Sequence, residues 1–411
     1  MGRVASVGTS LRTLREVDPS TLRGRRVMVR ADFNVPLTAD GSVTDDTRVR
    51  ETLPTLRLLM DAGARIIILS HLGRPKGVPD PQSSLEPVGA LLSELLEATV
   101  EFIPACSGPE VKASVASLAN GEILLLENTR FLPGETGNSP ELAGEWATLA
   151  QDYVGDAFGS AHRAHASTEG VARAILAQGG RAMAGLLLER EVHFLRDAMS
   201  RPERPFVAVM GGAKISGKID VIRAILPRVD RLLLGGAMAN TFFRALGLEV
   251  GASLMEEDSV HLASELMEEA GDRLVLPVDV RVADTLSRDA EVQDRPRDEV
   301  RPGEIIGDVG PDTQRIFHSI LSEARTVIWN GPVGVFELPP FAQGSLALAR
   351  SVAQAGGGEA LTVVGGGDSV AAAAAAGVTE AFSHVSTGGG ASLELLAGKS
   401  LPGVAVLEKE E

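Results

Sequence analysis

Short apolar runs alternate with longer amphipathic stretches along most of the chain. The runs at 26–30, 65–70, 123–127, 153–157, 206–210, 231–234, 273–278, 326–329 and 361–364 are rich in Val, Ile and Leu. Several are apolar throughout, which is the pattern of strands buried on both faces of a parallel sheet. Between them, residues 47–62, 85–98, 140–151 and 311–324 read as helices. A βαβα rhythm of this kind predicts α/β architecture with doubly wound, Rossmann-like parallel sheets.

A single core rarely serves 411 residues, so two domains are expected. The division falls in a predicted amphipathic helix over 182–200. Gly179-Gly180 precedes it, and Arg201-Pro202-Glu203-Arg204-Pro205 ends it. Such a segment suits an interdomain connector. The expected parts are a first domain over 1–180, a helix and linker over 181–204, a second domain over 205–395 and a closing segment over 396–411. One large open sheet is the competing arrangement.

Composition adjusts this picture in three places. Many of the 45 glycines cluster beside apolar runs, which indicates tight strand-to-helix turns. A formal charge of -16 argues against a general nucleic-acid or membrane-surface binder, while leaving room for a local cationic site. Cys106 is the one cysteine, so no intrachain disulfide can form; it reads as a small buried or half-buried thiol and fits a reducing, cytoplasmic compartment. The N-terminus, Met1-Gly2-Arg3, lacks the apolar region of a signal peptide. Gly2 and Ser6 fit a short acylation pattern that chance often produces. No run of 18 apolar residues is present, and the alanines at 371–376 read as part of a soluble helix.

In open α/β sheets, ligands collect at the carboxyl ends of strands, and unusual residues follow the strand-like runs here. Asp32 and Asn34, two apart in extended chain, share a face and offer an acceptor and an amide to a hydroxyl-bearing substrate. Before Pro36 they also fit a simple turn. His71 and Arg74 converge around Gly73, Arg130 lies just beyond the third run, and His162, Arg163 and His165 follow the fourth. Arg48 joins them from the start of a helix. Taken singly, each arginine reads as a solvated side chain or half of a weak ion pair. In an acidic protein, cations after one strand end and then the next predict a pocket for a phosphate or carboxylate. No set of strand-borne carboxylates accompanies His162 and His165, which argues against a metal cluster.

The second half carries glycine-rich turns after buried strands, where backbone amides approach phosphate closely. Gly211-Gly212-Ala213-Lys214-Ile215-Ser216-Gly217-Lys218 is the first of these. Lys214 and Lys218 share a face if the following helix begins by Lys214. The segment nearly matches a Walker A loop, but Ile219 stands where Ser or Thr is required, and no Walker B partner is apparent. Gly235-Gly236, Asn330-Gly331-Pro332 and Gly365-Gly366-Gly367-Asp368-Ser369 repeat the signature. Asp368 suits either Mg2+ on a nucleotide phosphate or the start of its helix. No Gly-x-Gly-x-x-Gly with a distant acidic residue supports a dinucleotide site.

Nine of these segments, in order across nearly the whole chain, resemble phosphoglycerate kinases: 29–36, 70–75, 127–131, 156–168, 211–218, 235–241, 329–337, 365–369 and 386–395. The resemblance implies two similar-sized α/β domains around a cleft, joined by a long helix, with the C-terminal segment returning to the first domain. It implies a monomeric enzyme of glycolysis or carbon fixation that moves the acyl phosphate of 1,3-bisphosphoglycerate to ADP, giving 3-phosphoglycerate and ATP. Asp32, Asn34, Arg48, His71, Arg74, Arg130 and Arg163 would bind the glycerate substrate. Lys214, Lys218, Gly235, Gly310, Glu337, Gly366, Gly367, Asp368 and Ser369 would serve the nucleotide, with Glu337 at the ribose and Asp368 at Mg2+. Arg48, Lys214 and Lys218 would neutralise the moving group on domain closure, with no general base needed. Gly217 replaces a residue that is commonly polar in the family, Ser369 replaces Thr, and Pro133 and Asn240 stand at variable positions. A catalytically silent nucleotide sensor or scaffold of the same fold, or another α/β enzyme of acyl or phosphosugar chemistry, would share many of these features.

Overall fold

The computed structural model describes residues 10–38 and 40–409, so Gly2 and Ser6 lie outside it. By internal contacts the chain forms two compact units, Met1–Val192 with Ser400–Glu411, and His193–Lys399. Each is built on its own six-stranded parallel sheet.

The first sheet contains β1 (Arg26–Ala31), β2 (Arg65–Leu69), β3 (Val100–Ile103), β4 (Ile123–Leu126), β5 (Asp152–Asp156) and β6 (Arg181–Ala184). Their order is β3-β4-β2-β1-β5-β6. Side chains alternate between faces along a strand. Val27, Val29, Ile66, Ile68, Ile123 and Leu125 pack in one core with Leu56, Leu59, Val88 and Leu92 from the helices Thr47–Asp61 and Glu86–Leu96. Their neighbours Met28, Ile67 and Leu124 point the other way and are also fully buried. Both faces are therefore covered, which explains the unbroken apolar runs.

Residues 181–184 differ from the expected helix: they form β6, parallel to β5, and the helix begins only at Leu186. Ala and Met at 182–184 suit a helix by propensity, but pairing with β5 overrides it. Asp152, buried at the start of β5, fixes this edge. It accepts from Arg25 Nε at 2.6 Å and from Arg181 Nη2 at 2.7 Å. At Gly185 an added Cβ would lie 2.3 Å from Asp156 Oδ1, so the turn between strand and helix has no room for a side chain. The chain's last residues complete this unit. Leu407 O accepts from Arg12 N, Gly403 N donates to Ala161 O, and Leu401, Val404 and Leu407 are buried.

The second sheet contains β7 (Phe206–Met210), β8 (Arg231–Leu234), β9 (Leu274–Val275), β13 (Thr326–Asn330), β14 (Leu361–Gly365) and β15 (His384–Val385), ordered β15-β14-β13-β7-β8-β9. β9 is shorter than the apolar run at 273–278 suggests. Trp329 at the centre of this unit's core is fully buried, and burying a large apolar side chain contributes about 1.5–3 kcal/mol. A small antiparallel sheet, β11-β10-β12, lies outside the βαβα rhythm. It comprises β10 (Asp279–Ala283), β11 (Gln293–Pro296) and β12 (Ile305–Val309). Among the described residues no helix is long and apolar enough to cross a membrane.

Candidate functional site

Each parallel sheet has a point where the chain stops adding strands on one side and starts on the other. In the first unit this point lies between β1 and β5, and in the second between β7 and β13. The loops after such a strand pair diverge and leave a crevice. Most of the candidate residues stand on these loops or on those of adjacent strands.

After β1 the chain places Asp32 and Asn34. Asn34 Oδ1 accepts from Gly73 N at 2.8 Å, tying this loop to the one after β2. Asp32 is buried, with Arg48 Nη1 at 3.0 Å from one carboxylate oxygen and Ser160 Oγ, following β5, at 3.4 Å from the same oxygen. Burial alone would raise the Asp32 carboxyl, but His71, Arg48 and Arg30 outweigh it and bring it down to about 2. His71 is itself drawn well below its usual value by burial and by Arg30, Arg130 and Arg48, against the pull of Asp32. A neutral imidazole lends Asp32 little attraction, so near neutrality the guanidiniums hold the carboxylate charged.

Arg130 Nη1 donates to Gly73 O at 2.7 Å, while its Nε is buried without a partner. Burial and the nearby Arg30 and Arg163 charges lower its proton affinity. Exposed Arg163 donates through Nε to His162 Nε2 at 3.1 Å. Arg74 is exposed beside Gly73, with no hydrogen bond to a described residue. The pocket's cations thus form an inner group of Arg30, Arg48 and Arg130 and an outer pair of Arg74 and Arg163. The arrangement attracts an anion and offers it forked donors.

Arg30 and the groups behind it escape a reading of strand ends, because Arg30 lies within a strand. It is 1% exposed, and Nε donates to Ser167 Oγ at 2.7 Å. Fully buried Glu135 accepts from that same hydroxyl, from Ser167 N and from Thr129 Oγ1. An arginine in an otherwise apolar buried strand is the signal available in the sequence, since a buried cation needs partners.

In the second unit, the turns after β7 and β13 meet backbone to backbone. A Cβ on Gly211 would stand 2.0 Å from Pro332 O. Lys218 bridges them: Nζ donates to Gly211 O at 2.6 Å, Asn330 Oδ1 at 2.8 Å and Asn330 O at 3.0 Å. Burial pushes this ammonium down to about 8, with Asp368 pulling the other way. The helix after it starts at Ile219, so Lys214 and Lys218 do not share a helical face. Residues 212–218 form turns instead, and Lys214 is exposed. Gly217 at φ < 0 has open space around its Cα, and the structure leaves that position free of packing demands.

Two adjoining cavities open here. One, about 250 Å3, is lined by Phe243, Leu254, Val280, Ile306 and Val333, and Glu337 and Asp368 also reach it. The small antiparallel sheet, unforeseen in the sequence, supplies Val280 and Ile306. The other, about 280 Å3, is lined by Lys214, Lys218, Asn330 and residues 366–369. Gly212, Ala213, Pro332 and Asp368 belong to both walls. An apolar slot beside a glycine-lined, cationic hollow suits a base joined to phosphates.

The helix Gly367–Ala375 starts at the second hollow, directing its positive end there. Gly366 has φ 95°, which favours glycine. Ser369 is buried and its hydroxyl is engaged inside the protein, donating to Gly365 O at 2.9 Å and accepting from Gly331 N at 2.6 Å. Asp368 stands in the first turn, beyond the capping position at Gly366. Its carboxylate has no hydrogen-bond partner among the described residues. Gly235 packs against Val333, where a Cβ would come within 2.5 Å. Gly310 packs on Asp279, whose carboxylate caps the helix Pro311–Ser322 by accepting from Asp312 N and Thr313 N. It lines neither cavity, although its neighbours Asp308 and Val309 do. Among the described residues no group of three or more His, Cys, Asp or Glu could hold a metal ion. A divalent cation bound here would need Asp368 together with ligand phosphates, which is the usual manner of Mg2+.

Comparison with known proteins agrees with this geometry. Residues 17–399 match the family model described as phosphoglycerate kinase. A phosphoglycerate kinase of Chloroflexus aggregans is 53% identical over 405 residues, covering 97% of this chain and 99% of that protein. One from Rubrobacter xylanophilus is 51% identical over 397 residues, with the same coverage. The solved structure of phosphoglycerate kinase from Coxiella burnetii superposes with a TM-score of 0.86 at 42% identity, covering 97% of this chain and 99% of that one. That from Pyrococcus horikoshii OT3 gives 0.82 at 30% identity, covering 97% and 98%. With its two parallel-sheet units, its cationic pocket and its glycine-lined hollow, the chain belongs to the phosphoglycerate kinase family.

Proposed function

We propose that this chain catalyses the reversible transfer of the acyl phosphate of 1,3-bisphosphoglycerate to ADP, giving 3-phosphoglycerate and ATP. The observation that carries the proposal is the pairing of two different anion sites, each at the switch point of its own sheet. In the forward direction an oxygen of the ADP β-phosphate attacks phosphorus, the bond from phosphorus to the acyl oxygen breaks, and a carboxylate leaves. Both the attacking and the leaving oxygen are anionic, so no proton need move and no general base is required.

The work left to the protein is positioning and charge neutralisation. Asp32 and Asn34 address the substrate hydroxyl, and the low value of Asp32 keeps it an acceptor throughout the physiological range. His71, Arg74, Arg130 and Arg163 hold the phosphate and carboxylate ends. Arg48, oriented by its ion pair with Asp32, meets the equatorial oxygens of the moving group. On the nucleotide side, the apolar slot takes the base and Glu337 the ribose. Lys214, Lys218 and the amides of 366–368 take the phosphates. Ser369 contributes by tying the turns after β13 and β14 together. Asp368 would hold Mg2+ with the phosphates, and the ion supplies additional neutralisation of phosphate charge. Transfer requires the two bound substrates to meet, with water excluded to protect the acyl phosphate.

Nothing observed favours a catalytically silent member. We also propose a monomer in the cytoplasm, a reading supported by the net charge of -16 and the single buried thiol of Cys106. Equilibrium sedimentation tests the monomer. The activity is tested by following ATP formation from 1,3-bisphosphoglycerate and ADP. Well-folded protein without turnover would overturn the enzyme reading, and calorimetry showing no binding of 3-phosphoglycerate would remove the substrate assignment.

A further inference from the structure

His71 is in contact with both the buried arginine network and Asp32. Its Nδ1 lies 3.1 Å from Arg30 Nη2 and 3.9 Å from Asp32 Oδ1. The first distance is a hydrogen bond and the second is too long for one. A guanidinium has donors only and keeps its charge in proteins. The nitrogen facing Arg30 must therefore be the acceptor, with its lone pair free. In a neutral ring the proton is then on Nε2, the nitrogen that makes no hydrogen bond to a described residue.

We infer that Arg30 is a positioning residue that fixes His71 as the Nε2–H tautomer, so that the ring presents a donor to the anionic substrate. This role rests on the glycerate-binding reading of His71 given above. The alternative tautomer is close at hand. Without Arg30, a proton on Nδ1 would face Asp32 Oδ1, and a small shift of the ring would pair them. Nε2 would then offer a lone pair to an incoming phosphate or carboxylate, which repels it. Arg30 prevents this by occupying Nδ1.

The geometry makes Arg30 well suited to the task. Nε is held by Ser167 Oγ, which is in turn anchored on Glu135, and Nη1 donates to Ala31 O. With two of its nitrogens fixed to the scaffold, the third has a set direction. The other charged groups around the imidazole are Asp32, Arg48 and Arg130. Asp32, at 3.9 Å, is too far from Nδ1 for a hydrogen bond.

The test is a direct reading of the tautomer in the full chain by long-range 15N–1H correlation NMR near pH 7.5, without ligand. We expect His71 in the wild-type protein to carry its proton on Nε2 and to leave Nδ1 bare. A proton on Nδ1 in the wild-type protein overturns the inference without any variant. Arg30→Met should move the ring toward the Nδ1–H form and weaken 3-phosphoglycerate binding by about tenfold or more. Arg30→Lys, which restores a cationic donor, should bring back the Nε2–H signature at least in part. A folded Arg30→Met protein whose His71 keeps the wild-type tautomer also overturns it. A wild-type protein that shows the expected tautomer yet fails to bind 3-phosphoglycerate would sink the substrate reading instead, and the two failures are thus separable.

Discussion

In the first unit, the chain ends of β1 and β5 meet through Asp32 and Ser160, backed by Arg30, Ser167 and Glu135. In the second, the ends of β7 and β13 meet through Gly211 and Asn330, with Lys218 spanning them. The topological position is the same and the materials are opposite. A pocket of charged side chains needs buried partners behind it, because an unpaired buried charge is costly. That is the role of the Glu135–Ser167–Arg30 chain, and it leaves the pocket wired before any ligand arrives. A pocket of glycines and amides needs no such backing. Its half-buried cation, Lys218, is instead satisfied by three protein oxygens, and an incoming phosphate would compete for it.

This contrast can be broken most severely at Arg48. Arg48→Ala is expected to lower turnover more than about 100-fold, equivalent to roughly 3 kcal/mol or more of transition-state stabilisation. A near-normal kcat would mean that the charged pocket only binds. Asp368→Asn should be next in size: the Mg2+ concentration giving half-maximal rate rises by on the order of tenfold or more. The Kd of 3-phosphoglycerate, measured by calorimetry, should stay the same. An equal loss at both ligands would erase the independence of the two sites.

The smallest effect separates the sites by pH. Lys218 falls from 10.5 to about 8 on folding, so its ammonium is lost as pH rises through 8. ADP affinity should weaken by a few-fold between pH 7 and pH 9, while 3-phosphoglycerate affinity, which the proposed site assigns to arginines, should stay flat. Stability moves in the opposite sense. Between about 8 and 10.5 the unfolded chain binds more protons at this lysine than the folded one, so the ligand-free protein gains stability with rising pH. Lys218→Met should flatten both dependences. An ADP affinity that is flat in the wild-type protein would contradict the burial-driven value.

The parts of the fold that could be read from sequence were those with both faces buried. β2, β4 and β7 carry continuous apolar runs because both of their faces are buried, and successive positions need no polar residue. β11 reads Gln-Asp-Arg-Pro and carries no apolar signal, since it pairs at the rim and exposes three of its four residues. β6 misled through its helix-favouring composition, which tertiary pairing overrode. At the candidate site, residues just beyond strand ends stood out: Asp32, His71, Lys218 and Asp368 interrupt glycine-rich or apolar context. Arg30 lies inside a strand and reads as part of it, whereas Asn330, placed in a turn by the sequence, is the last residue of β13. Glu135, in a loop remote in sequence from both, carries no local sign of its buried hydrogen bonds. Likewise, Lys214 and Lys218 look equivalent until the late start of their helix separates an exposed side chain from a half-buried one.

The return of residues 400–409 to the first unit also bears on how the molecule is made. Leu401, Val404 and Leu407 are buried in the first unit, yet the ribosome produces them only after the whole second unit. At 5–20 residues per second, the intervening second unit takes about 10–40 s to synthesise. Throughout that time the first sheet exists with part of its covering missing, while the second unit has all of its own residues as soon as Lys399 emerges. Folding would then finish in the reverse of the order of synthesis. Nascent chains stalled before Ser400 should show a protease-sensitive first unit beside a resistant second one, and the protection should spread to the first unit once Leu407 is free to dock.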